Sequence, residues 1–166
     1  MIAIPADQLA RIRAHGERAY PEECCGALLG RVEVGRRVVE EAVSLPNASA
    51  DERARRFLIG PEAYRDLEQL ARRRGVRLLG FYHSHPDHPA RPSAFDLAHA
   101  LPWHTYVILA VRGGRAGECT AWTLSESRDI FEADTLAARE PEPSTERRPD
   151  DAHEGLDPDR PAGLHG

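Results

Sequence analysis

At 166 residues with 41% hydrophobic side chains, the chain has the length of one domain and enough apolar material for a proper core. Segment 139–166 holds eight acids and four arginines, so the net charge of −5 falls to −1 on the first 138 residues and excludes the basic footprint of a nucleic-acid binder. Met1 to Tyr20 lacks the basic start and unbroken apolar stretch of a signal peptide, and no run is long enough to span a bilayer; the expectation is a soluble cytoplasmic protein. Along the chain, Pro5 to Ala19 repeats Leu9, Ile12, Gly16 and Ala19 at helical spacing. Pro61 to Arg74 does the same with Tyr64, Leu67, Leu70 and Ala71, with Pro61 suited to the first helical position and Gly75 to the stop. Val76 to Tyr82 reads as a buried strand. Pro92-Ser93 opens a short helix that continues through Leu97, Ala98 and Ala100. Thr105–Val111 and Glu118–Leu124 flank Arg112-Gly113-Gly114-Arg115 as two strands flank a hairpin loop, and Ile130 and Phe131 extend the sheet. From Glu140 onward proline, glycine and charge replace apolar periodicity, which predicts disorder. The expected division is therefore a domain over 1–138 and an acidic, proline-rich tail over 139–166.

The chemistry concentrates between residues 83 and 96. His83-Ser84-His85-Pro86 ends the buried strand, and on a strand alternate side chains share a face, so His83 and His85 point together and Ser84 points away. Asp96 lies in the first turn of the following helix. Two imidazoles and a carboxylate are three quarters of a tetrahedral zinc site that keeps one position for water, a catalytic layout. Ser93-x-x-Asp96 also has the form of a capping box, in which the serine caps the helix and the acid reaches back. Cys24, Cys25 and Cys119 make an odd count with no framework spacing, which argues against oxidative stapling, and the adjacent Cys24 and Cys25 read as small buried residues on a strand.

His-x-His-Pro, six residues, then Ser-x-x-Asp resembles the signature of the JAMM, or MPN-plus, metalloproteases, and His83, His85, Pro86, Ser93 and Asp96 occupy every position of it. Many bacterial members also carry Pro-x-Glu-x-Cys-Gly upstream, and Pro21-Glu22-Glu23-Cys24-Cys25-Gly26 matches it with Glu23 in the acid slot and Glu22 as the competing neighbour. The resemblance runs from about Ile4 to Leu124. It implies an α/β, MPN (cytidine-deaminase-like) fold: one domain, a mixed β-sheet flanked by helices, with further strands over Val38–Leu45 and near Phe57. It also implies Zn²⁺ held by His83, His85 and Asp96, Glu23 as general base and then general acid, and Ser93 as oxyanion donor. The implied activity is a zinc-dependent peptidase or isopeptidase acting after the C-terminal Gly-Gly of a small ubiquitin-like protein. The chain has little room for long insertions between Asp96 and Tyr106 and so resembles the compact bacterial type, for which the resemblance implies a sulfur-carrier substrate. His88 and Arg91 in the loop receive no role from the pattern, and the oligomeric state stays open.

Alternative readings are a deubiquitinase-like isopeptidase on other conjugates, a non-catalytic MPN scaffold, a Cys-His protease, a zinc deaminase and a DNA-repair relative. The scaffold would lack ligands, and here all are present. The metal motif already accounts for the histidines a cysteine protease would need. A deaminase would need a Pro-Cys-x-x-Cys pair that the chain lacks, and a DNA-directed enzyme has no electrostatic support.

Overall fold

The computed structural model describes residues 1–47 and 59–140. The element order is β1 (Ile2–Pro5), α1 (Ala6–Ala19), β2 (Cys25–Glu33), β3 (Arg36–Leu45), α2 (Pro61–Arg74), β4 (Arg77–Pro86), α3 (Ala94–His99), β5 (Thr105–Arg112), β6 (Arg115–Leu124), β7 (Phe131–Asp134) and β8 (Leu136–Arg139). The strand expected near Phe57 and the tail from residue 141 lie outside the described residues.

All eight strands form one mixed sheet in the order β7-β6-β5-β4-β2-β3-β1-β8. β4 and β5 pair in parallel at its centre, while β2 runs antiparallel to both β3 and β4. The central strands are buried on both faces, and so read as near-continuous apolar runs. One face packs under α1: Ile12 joins Leu28, Val39, Tyr82, Val107 and Leu109 in the larger core cluster. The opposite face packs Ala27, Phe81 and Tyr106 under Leu67 of α2. The layers are therefore helix, sheet, helix, and the alternation along β4, which a bulge at Leu79 shifts by one residue, decides what each one touches. Leu79, Tyr82 and Ser84 serve the α1 side; Phe81, His83 and His85 serve the other.

Two glycines permit this packing. At Gly16 a Cβ would stand 2.7 Å from a Leu109 methyl, so α1 can lie this close to β5 only without one. At Gly80 a Cβ would collide with the Thr105 carbonyl, which faces it across the parallel β4–β5 pair. Gly75 ends α2 in the left-handed conformation at φ +68°, as its position after Arg74 predicts. Gly113 and Gly114, at φ +54° and +78°, turn the β5–β6 hairpin. No helix among the described residues is long and apolar enough to cross a membrane.

The predicted helices and the central strands are present, with β4 running on through the histidines to Pro86 and β6 beginning at Arg115. Two short strands escaped the sequence reading. β1 and β8 each span four residues and pair in parallel at the sheet edge, too short for an alternation to register. β8 ends at Arg139, one residue past the expected domain boundary.

Candidate active site

β4 carries its two histidines to the carboxyl end of the strand with both rings on the α2 side of the sheet. Their Nε2 atoms approach to 3.0 Å. Asp96 completes the group: its Oδ1 lies 3.2 Å from His83 Nε2 and its Oδ2 3.5 Å from His85 Nε2. All three residues are buried, at 0%, 7% and 6% exposure, and their ligand atoms lie within 4.8 Å of one another. Two imidazole nitrogens and a carboxylate crowded this closely, away from water, need a ring proton or a metal cation between them. Metal bonds of about 2.0–2.1 Å at tetrahedral angles would set neighbouring donors about 3.3 Å apart, which is the spacing found here. The cluster thus fits a small divalent ion with nitrogen and oxygen ligands.

His85 and Asp96 are oriented from behind. His85 Nδ1–H donates to the Pro89 carbonyl at 3.0 Å, which in the neutral ring leaves Nε2 as the lone-pair nitrogen. The loop supplying that carbonyl is tied at both ends. Asp87, at φ +56°, accepts from the Gly113 amide and the Tyr20 hydroxyl, both at 2.9 Å, and Thr120 Oγ1–H donates to the Ala90 carbonyl.

Asp96 is the N3 residue of α3, and the capping box and the ligand cluster are one arrangement. The Ser93 amide and hydroxyl donate to Asp96 Oδ2 at 2.6 and 2.7 Å, and the Asp96 amide donates back to Ser93 Oγ at 3.1 Å. Burial pushes the Asp96 carboxyl up, but hydrogen bonds from His83, His85 and Ser93 overcome it and hold the group well below the usual carboxylate range. Burial lowers the His83 pKa against the pull of Asp96; at His85 the bonds to Asp96 and Pro89 outweigh burial and raise it.

Glu23 reaches the same place across the sheet. Cys25 pairs with His83, and the Ser84 amide donates to the Cys24 carbonyl at 3.0 Å, so the continued register sets Glu23 opposite His85 on the same face. Glu23 is 6% exposed, whereas Glu22 is exposed. Burial pushes the Glu23 carboxyl up to about 8, with His85 pulling it down and Asp96 adding to the rise. Ser84 points to the α1 side, where its hydroxyl accepts from the Cys24 amide at 2.9 Å.

The remaining sequence candidates separate from the cluster. His88 and Arg91 are exposed. Cys24 and Cys25 are buried free thiols, pushed by burial up to about 11 and 12, which makes them inert as nucleophiles. What motif reading missed is the orienting layer of Pro89 and Asp87. A visible signal was Asp after Pro86, a residue that tolerates a positive φ.

Residues 5–125 match the family described as prokaryotic homologs of the JAB domain. The chain is 35% identical over 116 residues to a probable TtuB-protein conjugate cleaving protease of Thermus thermophilus, covering 70% of this chain and 74% of that one. It is 29% identical over 133 residues to a desampylase of Haloferax volcanii, covering 78% and 93%. Among solved structures, a protein from Desulfitobacterium hafniense superposes with a TM-score of 0.74 at 30% identity, covering 84% and 94% of the two chains. A JAB1/MPN domain protein from Archaeoglobus fulgidus superposes at 0.55 and 22%, covering 83% and 99%, a likeness of fold. The chain belongs to the prokaryotic JAB-domain family and has the JAB1/MPN fold.

Proposed function

We propose that this protein is a zinc-dependent peptidase or isopeptidase that hydrolyses the bond after the C-terminal Gly-Gly of a small ubiquitin-like sulfur-carrier protein. The observation that carries the reading is the convergence of His83, His85 and Asp96 at ligand spacing with the buried Glu23 opposite His85. The named activities of the Thermus and Haloferax relatives, conjugate cleavage and desampylation, support the substrate class.

His83, His85 and Asp96 would hold Zn²⁺, which when bound supplies Lewis acidity toward the scissile carbonyl and toward water. The protein's own groups do the rest. Glu23 accepts the proton of the attacking water and returns it to the departing nitrogen, an exchange worth about 10²- to 10⁴-fold in rate. Ser93, exposed at the edge of the site, donates to the oxyanion of the tetrahedral intermediate. In the substrate-free geometry that proton is held by Asp96 Oδ2, so the hydroxyl has to turn. The Pro89 carbonyl and the Ser93 amide keep His85 and Asp96 aimed meanwhile.

The test is mass spectrometry of zinc-loaded protein with two substrates, a ubiquitin-like carrier bearing residues beyond Gly-Gly and a lysine-linked diubiquitin. Removal of the extension with the diubiquitin left intact is expected. Fast cleavage of the diubiquitin with the carrier untouched would refute the sulfur-carrier reading and leave the peptidase standing.

A further inference from the structure

A cleft of about 630 Å³ opens beside the ligand cluster, between the start of α2, α3 and the connection from His99 to Tyr106. Its floor is aromatic. Tyr64, Phe81 and Tyr106 line it, and His104 stacks on Phe81 and Tyr64 with ring centroids 5.2 and 6.0 Å away. Burial lowers the His104 pKa, so this ring brings no charge to the floor near neutral pH. At the mouth, Leu101 is 42% exposed and Trp103 is 88% exposed. Trp103 also sits at φ +72°, a left-handed conformation that is costly for a bulky side chain. Large apolar groups held outward beside an aromatic hollow mark a binding surface.

The cleft is continuous with the candidate active site through Asp96, which lines it and also faces both histidines. Among the described residues, Glu23, His83 and His85 do not line it. Glu23 stands on the β2 side, opposite His85, while the cleft lies back along β4 and β5 at Phe81 and Tyr106. A group that returns a proton to the leaving nitrogen has to face that nitrogen, so the acyl chain leaves the site in the other direction, toward the cleft. Glycines at the scissile bond offer no side chain to recognise, and selectivity must come from further up the tail.

Resting on the peptidase reading, we infer that the cleft seats a bulky aliphatic or aromatic side chain of the substrate, on the acyl side and upstream of the two glycines, with Tyr64, Phe81, Leu101 and Trp103 selecting it. The pocket chooses the tail that presents its glycines to the metal cluster.

The experiment uses acetylated peptides Xaa-Ser-Gly-Gly and Ser-Xaa-Gly-Gly joined to aminocoumarin, with Xaa as Leu, Phe, Ser or Asp, and zinc-loaded wild type, Leu101→Ser and Trp103→Ala proteins. In the wild type, Leu or Phe at one of the two positions should raise kcat/KM over Ser by at least ~10-fold, mainly through KM, since one methylene in a fitted pocket already changes rates by that order. Both variants should keep their zinc and bring that ratio close to one. Cleavage without apolar preference, or a preference untouched in both variants, overturns the cleft assignment and leaves the peptidase reading intact. Binding is followed separately by NMR, through the Trp103 indole N–H of the Glu23→Gln protein titrated with the acids Ac-Leu-Ser-Gly-Gly and Ac-Ser-Ser-Gly-Gly, and their Ser-Xaa counterparts. A shift with a leucine peptide alone supports the cleft even where no peptide is cleaved, the outcome that would contradict the peptidase reading instead. No shift with any of them overturns the cleft assignment.

Discussion

Replacing Ser93 with alanine separates two roles that one hydroxyl combines. Ser93 Oγ accepts from the Asp96 amide at 3.1 Å and donates to Asp96 Oδ2 at 2.7 Å; only the Ser93 amide bond to Oδ2, at 2.6 Å, would survive the change. Loss of a serine N-cap costs about 1 kcal/mol. The hydroxyl-to-carboxylate bond adds up to about 1.5 kcal/mol, the low end for a charged acceptor because Ser93 is exposed. Together the two losses should appear as a fall of about 3 to 8 °C in melting temperature, given the size of the chain. The lost bond to Asp96 should weaken zinc about 10-fold or more, in the range found when a group that orients a ligand is removed. Competition against a chromophoric chelator measures that affinity, and Ser93→Thr, which keeps the hydroxyl, should stay close to wild type. Unchanged zinc affinity in Ser93→Ala together with lost turnover would rule out the role toward Asp96 and leave the hydroxyl with substrate alone.

Single alanine substitutions of His83, His85 or Asp96 should each remove most of the zinc, and equal metal content in wild type and all three variants would sink the ligand assignment. A second expectation concerns the chelated, metal-free protein. The folded Glu23 carboxyl titrates about 8 against an ordinary value of 4.5, so below pH 4.5 both states hold the proton, and above it only the unfolded state lets it go. Stability should therefore fall as pH rises from about 4.5 to 8, at a limiting slope of about 1.4 kcal/mol per unit. Glu23→Gln should flatten that part of the curve in urea unfolding, and identical curves would show that Glu23 is not buried as described. Gly80→Ala should cost about 3 kcal/mol or more, because its Cβ meets the Thr105 backbone and must force β4 from β5. A change under about 0.5 kcal/mol, the scale of an ordinary surface substitution, would contradict that packing.

How much of this could be read in advance depends on the range of the contacts. His83, His85 and Asp96 fall within fourteen residues on a strand end and a helix start, so period and spacing bring them together, and Ser93-x-x-Asp96 announces its capping box in the same way. Glu23 was reachable only through resemblance, because its place opposite His85 depends on the pairing of β2 with β4, and nothing local in Glu22-Glu23 says which acid turns inward. The short strands β1 and β8 lie at opposite ends of the described chain and meet only in the folded sheet. The aromatic cleft gathers Tyr64, Phe81, Trp103 and Tyr106 from α2, β4, β5 and a loop, and each alone reads as an ordinary core or surface residue.

The most direct test of the central claim is the rate at which Glu23→Gln protein, shown by metal analysis to carry one zinc per chain, removes a C-terminal extension from a ubiquitin-like carrier ending in Gly-Gly. Zinc-loaded wild type should remove it, and the variant should be slower by about 10²-fold or more at equal metal content. Equal rates in the two proteins, or an extension left intact by fully zinc-loaded wild type, would contradict the claim.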